Sequence, residues 1–111
     1  MGLTFIYTEE FLKAIRSWLD EEGLRQLEIT FLKNPEAGAV IQGTNGLRKA
    51  RFALAQAGKS GGLRILYVLI EQSVYFIWVF PKNKKVNITA AERQRFAVVV
   101  QRIKEVHRGK S

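Results

Sequence analysis

The spacing of apolar residues changes character about two-fifths of the way along the chain. Leu3 to Tyr7 is a short apolar run and predicts a strand. Thr8 followed by Glu9 and Glu10 reads as a helix N-cap with acids in the first turn, where they meet the positive end of the helix dipole. Phe11, Ile15 and Trp18-Leu19 then recur at helical spacing. Asp20 caps a second helix, whose apolar stripe is Leu24, Leu27, Phe31 and Leu32. Asn34-Pro35 stops it, because proline disfavours helical geometry in the residue before it.

Beyond Gly46 the period falls to two. Leu47, Lys49, Arg51 and Ala53 share one face of a strand, and Arg48, Ala50, Phe52 and Leu54 share the other. Leu63 to Glu71 and Val74 to Phe80 are β-rich runs around a tight polar turn, which predicts a hairpin. Their continuous apolarity predicts cover on both faces. After the basic loop Pro81 to Asn87, Thr89-Ala90-Ala91-Glu92 is a capping box. It opens a last helix with Phe96, Val99, Val100, Ile103 and Val106 inward.

A length of 111 residues predicts one domain, 1–111, able to bury a core without metal or disulfides. No cysteine is present, which excludes disulfide scaffolds and thiolate chemistry. The N-terminus lacks the pattern of a signal peptide. The longest apolar region, Leu63 to Pro81, is broken by Arg64, Glu71, Gln72 and Ser73, so no membrane span is expected.

Charge alters the picture more. Residues 1–45 carry four bases and seven acids, and residues 46–111 carry fourteen bases and three acids, for a net +8. A basic half on an otherwise balanced chain is the electrostatic footprint of a phosphate-backbone partner. The excess begins at two glycine-rich turns. Gly43 to Gly46 precedes Arg48, Lys49 and Arg51, and Gly58 to Gly62 carries Lys59 and ends just before Arg64. An antiparallel return of the chain would gather Lys49, Arg51, Arg64, Lys82, Lys84 and Lys85 on one concave surface.

Other chemistry finds little support. His107 is the only histidine and reads as a surface residue near a helix end, with no cluster of metal-ligand spacing. Gly58-Lys59-Ser60 looks like the end of a phosphate loop, but position 53 is alanine and a strand follows, which argues against nucleotide hydrolysis. A cationic site without histidine can still cleave RNA. The 2′-hydroxyl is an internal nucleophile, arginines clamp phosphate bidentately, and a lysine nitrogen crowded by cations can serve as acid or base.

The order Asn34-Pro35, Gly38, Val40-Ile41, Gly43-Thr44, Gly46-Leu47-Arg48-Lys49, Arg51, Gly58-Lys59, Gly61-Gly62, Arg64 and Tyr67, continued by Pro81-Lys82-Asn83-Lys84 and Thr89 to Glu92, resembles toxins of the RelE/ParE superfamily, and within it the HigB-like branch. The resemblance runs from about Thr8 to Val106. It implies an α+β fold, with two N-terminal helices packed on a small curved antiparallel sheet and a C-terminal helix. It also implies a cytoplasmic, metal- and cofactor-free endoribonuclease that cuts mRNA in the ribosome and blocks translation. The implied partners are the ribosome, mRNA and a cognate antitoxin, of the helix-turn-helix HigA-like kind, through which the complex reaches operator DNA. Carried over by position, Arg64, Lys49, Arg51 and Lys82 are the catalytic candidates. Arg48, Lys59, Lys84, Lys85 and Phe80 are the RNA-binding candidates. RelE-like toxins carry an arginine and a tyrosine where this chain has Asn83 and Thr89, and many HigB-like ones a tyrosine at Phe80. Two alternatives share the fold: a ParE-like gyrase poison without enzymatic activity, and an inactive basic nucleic-acid-binding module.

Overall fold

A computed structural model describes residues 2–54, 62–84 and 87–109. The elements run β1 (Thr4–Tyr7), α1 (Glu9–Ile15), α2 (Glu21–Lys33), β2 (Ala39–Val40), β3 (Arg48–Phe52), β4 (Leu63–Ile70), β5 (Ser73–Pro81) and α3 (Ala90–Gly109). All three caps read from the sequence form. The Thr8 hydroxyl accepts from Phe11 N, and the Asp20 carboxylate accepts from Gly23 N. In the capping box Thr89 N donates to the Glu92 carboxylate, while Glu92 N donates to the Thr89 hydroxyl.

The strands form one five-stranded sheet in the order β1-β5-β4-β3-β2. The fold is α+β, as expected, with one difference of detail. β1 runs parallel to β5, so the sheet is mixed rather than wholly antiparallel. A parallel neighbour needs a long crossover. Here everything from α1 to β4 lies between the two strands, and no local sequence signal reveals that pairing.

Each face of the sheet carries its own apolar cluster. On one, Phe11 and Ile15 of α1 and Leu27 and Phe31 of α2 cover Ile65, Tyr67, Val74 and Phe76. Phe76 is the hub, stacked with Phe5, Tyr7 and Phe11 and met edge-on by Phe31. On the other, Ile88 and Val100 of the α3 region cover Leu47, Leu66, Val68, Tyr75, Ile77 and Phe80. Burying one such side chain is worth about 1.5–3 kcal/mol. Of the residues expected inward on α3, Val100 is buried, whereas Val99 and Val106 are exposed.

A β-bulge decides which residues reach each face. Leu66 pairs with Trp78 and Tyr67 with Phe76, leaving Ile77 without an opposite residue. Simple alternation from Val74 would put Phe80 on the α1/α2 face. The extra residue sends it to the other face instead. Thr8 ties the bulge to the start of α1, its hydroxyl donating to the Ile77 carbonyl at 3.1 Å. Among the described residues no helix is long and apolar enough to cross a membrane.

Candidate nucleic-acid interface

Directly opposed residues on neighbouring strands project to the same side of a sheet. Arg51 opposes Arg64, and Arg64 opposes Phe80, so one row across β3, β4 and β5 carries two guanidiniums and an aromatic ring. Lys49 stands two residues from Arg51 on β3, on the same side, opposite Leu66. Lys82 and Lys84 follow β5 at the same end of the sheet. Lys82 N donates to the carbonyl of Gly62, one residue before β4, and Lys84 N donates to that of Pro81. Five of the cations singled out in the sequence therefore lie on one face or at its end. Lys59 and Lys85 lie outside the described residues.

Two expectations change. Arg48 opposes Tyr67 and so projects to the α1/α2 face. Its Nη1 donates to the carbonyls of Glu36 (3.1 Å) and Gly38 (2.7 Å), which commits it to holding the 34–38 loop. Phe80, expected to stack on a base, is 7% exposed and belongs to the α3-side core. It packs beside Arg64 instead of offering an open ring face.

Arg64 is the unusual residue. Its exposure is 7%, and its Nε has no hydrogen-bond partner. Burial, and after it the charge of Arg51, hold its guanidinium below the ordinary arginine range. Like charges directly opposed across a ladder are destabilising, and a buried unpaired cation more so. Ion pairs join Lys13 to Glu9, Arg25 to Glu22 and His107 to Glu71, all away from this row. Among the described residues no carboxylate offsets the influence of Arg51 on Arg64. That arrangement can bind an anion bidentately and neutralise charge developing on a phosphate. Among the described residues no cluster could hold a metal ion.

The glycine turn before β3 sets the strand in place. Thr44 is fully buried, its hydroxyl donating to the Ile41 carbonyl and accepting from Leu47 N. Gly43, Asn45 and Gly46 all take positive φ, the region that glycine and asparagine tolerate best. Asn45 also donates from its amide to the Ala97 carbonyl at 2.9 Å, which joins the turn to α3.

Two residues near Lys49 were not legible as site residues in the sequence. Asn87 accepts from Lys49 Nζ through Oδ1 at 2.8 Å, and Arg93 lines the same cavity as both. Their only sequence signal was closeness to the capping box, which places the start of α3 beside the basic strand. His107 is a further correction. It is not a free surface histidine: Nδ1 meets the Tyr75 hydroxyl at 2.6 Å and Nε2 meets Glu71 at 2.8 Å. Those contacts pin the end of α3 to the β4–β5 turn, at the opposite end of β4 from Arg64.

The family described as the RelE toxin of the RelE/RelB toxin–antitoxin system matches residues 32–111. Among solved structures, a doubly substituted form of the E. coli toxin RelE in the free state is similar at 25% identity and a TM-score of 0.55. That match covers 88% of this chain and 96% of that one. A chain of the intact E. coli RelBE toxin–antitoxin complex is 25% identical with a TM-score of 0.49, over 70% of this chain and 94% of that one. With the family pattern running from the end of α2 to the last residue, this chain belongs to the RelE toxin family.

Proposed function

We propose that this protein is a cytoplasmic, ribosome-dependent endoribonuclease that cuts mRNA and so blocks translation. The observation that carries the reading is the Arg51–Arg64 pair: two like charges face each other on one row, one of them buried with an unpartnered Nε. Such a pair costs stability unless an anion joins it, and a scissile phosphate is that anion.

In this reading Arg64 and Arg51 hold the non-bridging phosphate oxygens. The 2′-hydroxyl attacks the adjacent phosphorus in line, the P–O bond to the 5′ oxygen breaks, and a 2′,3′-cyclic phosphate and a 5′-hydroxyl result. The hydroxyl proton leaves to a nitrogen base, and a second proton reaches the departing oxygen. Lys49 on the sheet and Lys82 in the loop after β5 are the candidate groups for these transfers. Lys84 adds charge along the RNA backbone. Positioning and charge neutralisation supply most of the acceleration. The net charge of +8 supports docking on ribosomal RNA.

A RelB-like antitoxin is the partner that family membership favours. The glycine-turn pattern of residues 43–62 supports the HigB-like branch, with a helix-turn-helix antitoxin that carries the complex to operator DNA.

Purified protein added to ribosomes translating a defined mRNA tests the proposal. The expected result is mRNA cut at mapped positions only when ribosomes are present. Arg64→Ala should lower the rate by about 10²–10³-fold, with its circular dichroism unchanged. Equal cleavage by that variant removes Arg64 from the site. Intact mRNA together with loss of DNA supercoiling by gyrase would replace the proposal with the ParE-like reading.

A further inference from the structure

Beside the arginine row lies a separate cavity of about 300 Å³ between β2, β3 and the first turn of α3. Its polar lining is Lys49, Asn87 and Arg93, and its apolar walls include Val40, Ile41 and Ile88. We infer that this cavity is a second nucleotide subsite, which holds the nucleotide adjoining the scissile linkage. The inference rests on the nuclease reading above and specifies how the substrate continues beyond the clamp.

Four observations carry it. First, among the described residues the lining contains two cations and no carboxylate, so the charge it complements is negative. Secondly, the walls are apolar, and Val40 is 55% exposed on a two-residue edge strand. A bare anion site has no use for such walls, whereas a base has two apolar faces to cover.

Thirdly, the asparagine is oriented. Lysine can only donate, so the bond from Lys49 Nζ turns Asn87 Oδ1 toward it. The Nδ2 donor is left to face an acceptor on a base edge, which makes Asn87 a specificity-determining residue. Fourthly, Lys49 belongs to both places. It lines the cavity, and it stands on the same strand face as Arg51. A chain whose phosphate sits on Arg51 and Arg64 therefore passes Lys49 before entering. Arg93 reaches the cavity with its stem over Gly43, where an added Cβ would lie 3.8 Å from Arg93 Cδ. That is ordinary van der Waals contact, so it is the positive φ of Gly43, and not space for the arginine, that favours glycine there.

The test couples one protein charge to one RNA charge. Ribosomes are programmed with short mRNAs that each carry a single neutral methylphosphonate at a linkage flanking the mapped cut. Cleavage by wild type and by Arg93→Gln is measured for every position. Arg93 is exposed, so the variant should fold, and its melting curve checks this. On native RNA, Arg93→Gln should raise KM about tenfold, the scale of one charge-assisted hydrogen bond, with kcat little changed. At one flanking linkage the neutral substitution should cost wild type about tenfold and the variant almost nothing further. Asn87→Ala should change which base is preferred at that same nucleotide.

Effects of Arg93→Gln and the neutral linkage that multiply at every position overturn the subsite while leaving the nuclease intact. The subsite is overturned equally if Arg93→Gln cleaves normally and loses only neutralisation by antitoxin, because the cavity would then serve a protein partner. If wild type cuts no mRNA at all, the nuclease reading falls and the subsite falls with it.

Discussion

Replacing Arg64 by methionine should make the protein more stable while abolishing cleavage. The side chain is 7% exposed, its Nε lacks a partner, and Arg51 faces it from the next strand. A buried donor left unsatisfied costs about 1–3 kcal/mol. Two unit charges about 6 Å apart repel by about 3 kcal/mol at an effective dielectric of 20. Arg51 is exposed, so solvent reduces that to about 1 kcal/mol or less.

Methionine keeps an apolar stem of similar length and removes both penalties. The expected gain is about 1–3 kcal/mol. For a domain of this size that raises Tm by roughly 4–12 °C. Arginine stays charged in the folded and unfolded chains across the working range. A cation whose proton affinity falls on folding therefore destabilises the fold at every ordinary pH, and no pH window hides the effect.

Thermal unfolding followed by circular dichroism at low ionic strength reads the change. A second arm adds inorganic phosphate, which should raise the Tm of wild type by mass action and leave Arg64→Met nearly unmoved. A variant that melts lower than wild type would refute the reasoning. Arg64 would then be a compensated structural residue, and the argument for an anion clamp would lose its foundation.

Two further predictions concern the support of the basic strand. An added Cβ at Gly38 would lie 2.8 Å from Tyr67 Cε1 and Oη and 3.0 Å from the Lys49 carbonyl carbon. Gly38→Ala should therefore destabilise the fold by about 1–3 kcal/mol and weaken cleavage through Lys49, as read by melting and by single-turnover cleavage. The Tyr67 hydroxyl donates to the Pro35 carbonyl at 2.7 Å and accepts from Gly38 N at 3.0 Å. Burial, the largest influence on it, raises its phenol above the ordinary value. A raised phenol favours the folded chain below its unfolded pKa of about 10, and that contribution is lost as pH rises through the folded value. Tyr67→Phe should cost about 1–3 kcal/mol at pH 7. It should also flatten the alkaline fall in stability that urea titrations of wild type show above about pH 10.

What proved legible in the sequence was local. Thr8, Asp20 and Thr89 act on amides three residues away, so their caps could be read from neighbours alone. The strand alternation also separates Arg48 from Lys49 and Arg51 without any tertiary information. That Arg48 serves the 34–38 loop was not legible, because the carbonyls it meets are 10 and 12 residues away. His107 shows the same limit, with its two partners 32 and 36 residues distant.

By itself, then, the sequence determined the order of the elements apart from the two-residue β2, which it did not show, together with the helix caps, the concentration of positive charge beyond Gly46 and the α+β class. Tertiary structure decided three things. It set β1 parallel to β5. It used one unpaired residue, Ile77, to bring Phe80 to the Arg64 face against simple alternation. It also placed the start of α3 so that Asn87 meets Lys49. The physical reason is that capping and alternation depend on torsions and contacts within one turn or strand. Register, bulges and helix docking are chosen by the burial of both sheet faces together, a free energy that no single segment carries.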